Sequence, residues 1–115
     1  MKVLLTGATG FVGGEVIKHA VEAGHKVRVM ARNPARAEGL VKQFGVEVFH
    51  GNILAAPSLA GCMEGIDAVA HLVGIITEVN EMTFDRVHRE GTINLLAEAR
   101  RAKVPLYYAG AEMVA

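Results

Sequence analysis

Three glycines spaced three residues apart lie near the amino terminus, in the stretch TGATGFVG from Thr6 to Gly13. The apolar run Lys2–Leu5 before them predicts a strand, and the residues after Gly10 repeat apolar side chains at helical spacing. A turn between a strand and a helix leaves backbone N–H groups unpaired, and the helix dipole adds partial positive charge there. Such a turn can bind a phosphate or pyrophosphate. A glycine-rich turn without a ligand is the alternative.

Each glycine of this turn has a predicted task. Gly7 can take the tight turn, Gly10 lets the backbone approach the phosphates, and Gly13 lets the helix pack closely on the strand. The strand before the turn and the helix after it favour dinucleotide binding over a ligand-free turn. The side chains that shape the turn are predicted to be Thr9, Phe11 and Val12.

The end of the second predicted strand, Lys26–Ala31, carries no acid that could bind the adenosine ribose of NAD. Arg32 and Asn33 lie there instead, with Arg36 one helical turn later. A guanidinium can bind a 2′-phosphate through two parallel hydrogen bonds. These residues favour NADP as the cofactor, with NAD second, and a solvated loop arginine is the alternative. Arg28 lies nearby but inside the strand, so it carries less weight.

The composition limits the classes of function. With 115 residues and 51% apolar content, the chain is expected to form one globular domain. Its 12 basic and 12 acidic residues balance, so no net field favours nucleic acid or an anionic membrane, and self-association is expected. No apolar run approaches the roughly 18 residues of a membrane span. The single cysteine, Cys62, is interpreted as a partly buried apolar residue and fits a cytoplasmic location.

Strands and helices alternate in the predicted order, which indicates a parallel sheet built from right-handed crossovers. The predicted helices follow Gly10, run from Pro34 to about Phe44, form a short piece over Pro57–Met63, and span Glu81–Ala102. The predicted strands are Lys2–Leu5, Lys26–Ala31, Val46–His50, Asp67–Gly74 and Val104–Tyr108.

Several motifs carry a resemblance that spans nearly the whole chain. TGATGFVG resembles the TGxxGxxG motif of extended and atypical short-chain dehydrogenases/reductases, and FDRVHREGTINLLAEA, from Phe84 to Ala99, is similar to their VN-x-x-GT-x-NLL-x-A helix. HLVGII and TFDRVH look most like the atypical branch that includes the nucleotide-binding accessory subunit of respiratory complex I and epimerase-like members. The resemblance implies an α/β fold, a doubly wound parallel five-stranded Rossmann sheet in the order 3-2-1-4-5.

The resemblance also implies further contacts with the cofactor. Asn52 occupies the place of an acid that, together with the next residue, holds adenine, so Asn52 and Ile53 are expected to flank the base. A turn asparagine is an equal alternative for Asn52. The loop after the fourth strand covers the pyrophosphate and ribose in this family, which makes Leu72, Val73 and Gly74 contact candidates. His71, inside an apolar strand, is interpreted as a satisfied core or edge histidine, and a catalytic role is the less favoured alternative.

The residues that carry out catalysis in this family are missing from the sequence. Catalytic members place a serine or threonine after the fifth strand and a Tyr-x-x-x-Lys pair on the next helix. Here Ala109 and Gly110 follow the strand, and neither Tyr107 nor Tyr108 has a lysine four residues later. The chain is therefore expected to be a single domain, truncated after the fifth strand and without a substrate domain.

These observations leave competing hypotheses about function. The chain is either the NADP-binding part of an oxidoreductase or epimerase that is not catalytic alone, or a non-enzymatic NADP-binding module completed by a partner. A ligand-free structural remnant is a third interpretation. A homo-oligomer, or a partner that covers the carboxyl-terminal edge of the sheet, is expected because that edge is apolar and bare.

Overall fold

The structure, a computed structural model, describes residues 1–7, 11–72 and 87–109. Neighbouring strands of its one sheet are parallel throughout, in the order 3-2-1-4-5. This order confirms the predicted Rossmann-type topology. The strands are β1 (Lys2–Thr6), β2 (Lys26–Ala31), β3 (Glu47–His50), β4 (Ala68–Leu72) and β5 (Leu106–Ala109). β5 begins two residues later than predicted, directly after Pro105, which has no N–H to donate to a neighbouring strand.

Two predicted helices differ from the sequence-based expectation, and the first six residues of a third, Glu81–Ala102, lie outside the described residues. The predicted helix from Pro34 to Phe44 divides into a 3₁₀ turn and a short α-helix, and the predicted helix over Pro57–Met63 is a single 3₁₀ turn. Gly61 and Gly65 have φ angles of +82° and +74°, which a continuing helix excludes. The helical elements are α1 (Phe11–Glu22), a 3₁₀ turn (Pro34–Ala37), α2 (Glu38–Phe44), a 3₁₀ turn (Ala56–Leu59), a π turn (Val87–Gly91) and α3 (Thr92–Ala102).

The sheet is covered by helices on both faces, as a doubly wound fold requires. Successive strand residues point to opposite faces, so Leu4 and Leu5 belong to different clusters of the core. The cluster under α1 and α2 contains Leu5, Ile17, Val27, Val29 and Val46. The cluster under α3 contains Leu4, Met30, Leu59, Cys62, Met63, Ile66, Val69, Leu95 and Ala99.

An ion-pair network ties three strands together near the amino-terminal end of the sheet. Glu47 on β3 accepts a 2.6 Å hydrogen bond from Arg28 Nε and a 2.9 Å bond from Lys2 Nζ. The Lys2 and Arg28 side chains hold the pKa of Glu47 below its ordinary value. Arg28 is buried and also donates to the carbonyl oxygens of Cys62 and Glu64, at 2.7 and 2.9 Å. Its side chain is therefore committed to the fold.

In residues 1–7, 11–72 and 87–109, no helix combines the length and the apolar content that crossing a bilayer demands.

Candidate dinucleotide-binding site

The predicted site residues gather where the parallel strands end. Gly7 follows β1, Arg32 and Asn33 follow β2, and Leu72 closes the described part of β4. Asn52 and Ile53 lie just beyond the end of β3. Because the carboxyl ends of parallel strands meet at one edge of the sheet, these residues share the edge at which open α/β sheets bind ligands.

Part of the predicted turn is outside the described residues. Thr9 and Gly10 belong to that part. Val73 and Gly74, beyond β4, are also outside the described residues. Phe11 and Val12 are the first two residues of α1, and Gly13 is buried in the first turn of that helix.

Gly7 occupies a position that only glycine can fill. Its φ angle is +76°, and a Cβ atom built on it would overlap the carbonyl oxygen of Leu72. The positive φ angle agrees with the turn predicted at Gly7, and the close approach of Leu72 is a second constraint on this position. Gly7 lies directly against the end of β4, at the switch point of the sheet between β1 and β4.

A cleft of about 340 Å³ opens at the end of β2, lined by Ala31, Arg32, Asn33 and Arg36. Both arginines are exposed, and within the described ranges neither guanidinium has a hydrogen bond or an ion pair. Asn33 Oδ1 accepts a 3.1 Å bond from Ala35 N–H and so caps the 3₁₀ turn that carries Arg36. Two guanidinium groups and an amide form a donor set that matches a phosphate.

The turn after β3 lies against this cleft, because Gly51 N–H donates to the carbonyl oxygen of Ala31 at 3.1 Å. Asn52 Oδ1 accepts from Leu54 N–H at 2.9 Å, while the Asn52 N–H donates to Ser58 Oγ at 2.9 Å. These bonds show a turn asparagine, one of the two alternatives left open by the sequence. The side-chain oxygen of Asn52 is engaged in the turn, which leaves its amide nitrogen as the group available to a ligand.

Ile53 is held from the other side by the beginning of α3. Asn94 Nδ2 donates to the carbonyl oxygen of Ile53 at 2.8 Å. A Cβ atom on Gly91 would overlap the end of the Ile53 side chain and lie 2.7 Å from its Cγ1. The neighbour that requires glycine at position 91 is therefore a residue of a connecting turn and not of a strand.

His71 is the most buried polar group near the site, with 1% of its surface exposed. Its Nδ1 lies 2.5 Å from Thr6 Oγ1, at the end of β1, and its Nε2 lies 2.9 Å from Thr92 Oγ1, at the start of α3. The interpretation as a satisfied core histidine agrees with these contacts. Sequence reasoning missed Thr6 and Thr92 as partners of His71, and Asn94 as the partner of Ile53, although the motif GTINLL contains both Thr92 and Asn94.

Cys62 is fully buried, more deeply than the sequence suggested. Burial raises the pKa of its thiol to about 11, so at neutral pH the group stays protonated and unreactive. The thiol is a packing group and not a nucleophile.

Comparison with known proteins adds a family to this geometry. A sequence profile described as NAD(P)H-binding matches residues 7–109, nearly the whole described chain. The chain belongs to that family. The match confirms the resemblance to the extended and atypical short-chain reductases at the level of an NAD(P)-binding Rossmann domain.

Curated relatives of this NAD(P)H-binding domain include proteins with different functions. Photosystem II assembly factor Ycf39 of Synechocystis is 30% identical over 104 residues, covering 90% of this chain and 31% of that protein. The 3 beta-hydroxysteroid dehydrogenase/Delta 5→4-isomerase of Mycobacterium tuberculosis is 32% identical over 111 residues, covering 90% of this chain and 29% of that protein.

Among solved structures, the crystal structure of gox2253 superposes with a TM-score of 0.80 at 28% identity. The match covers 92% of this chain and 33% of that one. The NAD(P)H-binding domain therefore spans about a third of the length of the relatives it matches.

Proposed function

We propose that this domain binds NADP, with NAD as the weaker ligand, and serves as the nucleotide-binding part of a short-chain-type oxidoreductase or epimerase. The cleft at the end of β2 is the observation that carries the proposal. Arg32 and Arg36 line it, and neither guanidinium has a partner within the described part of the chain. A 2′-phosphate placed there would gain charge-assisted hydrogen bonds from groups that the fold itself does not use.

The proposal assigns a role to each site residue. The backbone of the glycine turn would bind the pyrophosphate, while the residues beyond β3 and β4 would flank the adenine and the ribose. Because the Asn52 side-chain oxygen is engaged in its own turn, its amide nitrogen would be the group that meets adenine. The proposed contacts are Gly7, Thr9, Gly10, Phe11, Val12 and Gly13 at the pyrophosphate, Arg32, Asn33 and Arg36 at the 2′-phosphate, Asn52 and Ile53 at adenine, and Leu72, Val73 and Gly74 at the ribose.

The nicotinamide, when bound, supplies hydride-transfer chemistry to enzymes of this class. This chain would bind and orient the cofactor, and proton transfer to a substrate would need groups from elsewhere. No serine follows β5, and no tyrosine precedes a lysine by four residues. We infer that the 115 residues form one nucleotide-binding domain, and that the substrate-binding residues come from another segment or another chain.

A non-enzymatic binding module completed by a partner is the alternative function, and the edge of the sheet favours it. Tyr107 on β5 is 66% exposed, although parallel sheets are usually covered on both faces. We propose that a second copy of the chain or another partner covers this edge. A reduced, deeply buried thiol as the only cysteine supports a cytoplasmic location.

Titration of the purified protein with NADPH and NADH, followed by nicotinamide fluorescence, tests the cofactor assignment. We expect saturable binding with NADPH the tighter ligand. Arg32→Ala should weaken NADPH by about tenfold or more, because one charge-assisted pair to the phosphate is lost, and should leave NADH nearly unchanged. Arg32→Asp should spare or improve NADH.

Arg100→Ala is the matched control, since Arg100 is also exposed but lies near the far end of α3. The affinity of the Arg100→Ala variant for NADPH should stay within about twofold of wild type. Equal losses for both cofactors in Arg32→Ala would contradict the role of Arg32, and a folded protein that binds neither would reject the proposed function. The molecular mass, measured on the same sample, reports whether copies associate, and hydride transfer to a carbonyl substrate would exclude the non-enzymatic alternative.

A further inference from the structure

We propose that His71 is a positioning residue for the dinucleotide, fixing the end of β1 and Gly7, where the glycine turn begins, through Thr6 and Thr92. The inference rests on the proposed function, because it concerns how that same site is kept in shape. His71 itself is too deeply buried to touch a ligand, so it acts through its two threonine neighbours.

The contacts form a continuous series from α3 to Gly7, where the glycine turn begins. Thr92 is the first residue of α3, and its hydroxyl oxygen lies 2.9 Å from His71 Nε2. On the other side of the imidazole ring, Nδ1 lies 2.5 Å from the hydroxyl oxygen of Thr6. Thr6 is paired in register with His71, is 2% exposed, and directly precedes Gly7. A threonine hydroxyl can donate or accept, so either tautomer of the ring satisfies both contacts.

This series of contacts ends at Gly7, where the backbone is most constrained. Gly7 has the left-handed φ angle of the turn and contacts the carbonyl oxygen of Leu72, the residue after His71. Two consecutive residues of β1 and its turn are therefore fixed against two consecutive residues of β4. A backbone N–H group binds a phosphate well only if the fold already orients the N–H towards the phosphate. Losing the contact of His71 with Thr6 should therefore lower the affinity of the turn for the pyrophosphate.

The arginine cleft does not depend on this series of contacts. It is built from residues at the end of β2 and the start of the following 3₁₀ turn, and its capping bond runs from Ala35 N–H to Asn33. The two halves of the site can therefore be probed separately. NADPH engages both the turn and the cleft, whereas adenosine 2′-monophosphate has a 2′-phosphate but no pyrophosphate, and so engages the cleft alone.

Thr92→Val and Thr6→Val are the test variants, because valine keeps the shape of threonine and removes only the hydroxyl. We expect each to weaken NADPH about fivefold or more while adenosine 2′-monophosphate, followed by ligand-observed NMR, stays within about twofold. The double variant should lose little more than the worse single variant, since both hydroxyls act through one ring. Arg32→Ala is the contrasting variant, because it should weaken both NADPH and adenosine 2′-monophosphate.

Urea unfolding of each variant shows that the protein is folded under the assay conditions. If His71→Leu does not fold, the two threonine variants still decide the question, because they leave the ring in place. Parallel losses of both ligands would indicate general destabilisation and overturn the inference, as would unchanged binding of both. Wild-type protein that binds neither ligand would overturn the proposed function together with this inference, whereas binding without a selective loss overturns this inference alone.

Discussion

Single glycine positions in this chain are constrained for different reasons, even where the backbone conformation is the same. Gly7 and Gly65 have φ angles of +76° and +74°. Around Gly65 no atom lies within 4 Å of a built Cβ, whereas at Gly7 a backbone carbonyl occupies that place. At Gly65 the constraint is conformational strain alone. At Gly7 the strain is combined with a steric overlap that no side-chain rotation can relieve.

Replacing each of these glycines by alanine separates the two costs. Gly65→Ala should lower the free energy of unfolding by about 1–2 kcal/mol, the cost of a left-handed conformation for an L-residue. Gly7→Ala should lower it by clearly more, because the end of β4 must also move away from the turn. Urea unfolding of both variants measures the difference, and equal losses would show that the overlap with Leu72 is relieved without cost.

At the scale of elements, the first turn of α3 connects parts of the site that are far apart in sequence. Thr92 contacts His71 and Asn94 holds the carbonyl oxygen of Ile53, while Gly91 leaves room for the Ile53 side chain. Three residues of the GTIN motif thus make three separate contacts. The motif is explained by the surroundings of the helix and not by helix propensity, which glycine lowers by about 1 kcal/mol relative to alanine.

Two glycine-to-alanine changes in helical positions should therefore have opposite effects. Gly14→Ala, in α1 with nothing within 4 Å of a built Cβ, should raise the free energy of unfolding by about 0.5–1 kcal/mol. Gly91→Ala should lower it by about 1–3 kcal/mol, because the added methyl group overlaps Ile53. In an Ile53→Ala background the loss from Gly91→Ala should largely disappear. A loss that persists there would point to a neighbour other than Ile53.

The sequence was sufficient to predict the elements and insufficient to predict their partners. Parallel strands buried on both faces appear as short apolar runs between glycine turns, so their number and positions along the chain follow from local patterns. The order of the strands in the sheet came from the resemblance to the short-chain reductases. The two threonines that meet His71 are 65 and 21 residues away from it, and no local pattern joins such positions. The side-chain oxygen of Asn52 is another example, since only the folded turn shows which of its two polar atoms is engaged.

The whole molecule separates its tasks between the two ends of the sheet. The carboxyl ends of the strands carry the glycine turn and the arginine cleft. The ion pairs of Lys2, Arg28 and Glu47 join β1, β2 and β3 away from that edge. Stability that depends on this network should therefore vary with pH independently of the cofactor.

Acid should remove the contribution of Glu47. Its pKa in the folded protein lies below the ordinary value of 4.5, because Lys2 and Arg28 favour the carboxylate. The contribution is therefore complete above the unfolded-state pKa and is lost as the pH falls through the folded-state pKa. Glu47→Gln should be less stable than wild type at pH 7, and the difference should shrink towards zero in acid.

Urea unfolding of wild type and Glu47→Gln across this pH range measures the effect. Glu15→Gln is the control, since Glu15 is exposed on α1 and has no ion pair among the described residues. Its stability should stay within about 0.5 kcal/mol of wild type at every pH. A difference for Glu47→Gln that is the same at pH 7 and in acid would show that the carboxylate charge is not what stabilises the network.

The burial of Cys62 has a consequence beyond packing. It shares its core cluster with residues of β1, β2, β4 and α3. With a pKa of about 11 and no exposed surface, the thiol is silent towards alkylating reagents while the protein is folded. The only sulfhydryl of the chain is therefore a probe of unfolding, because a reagent can label it only when the part of the core around it opens.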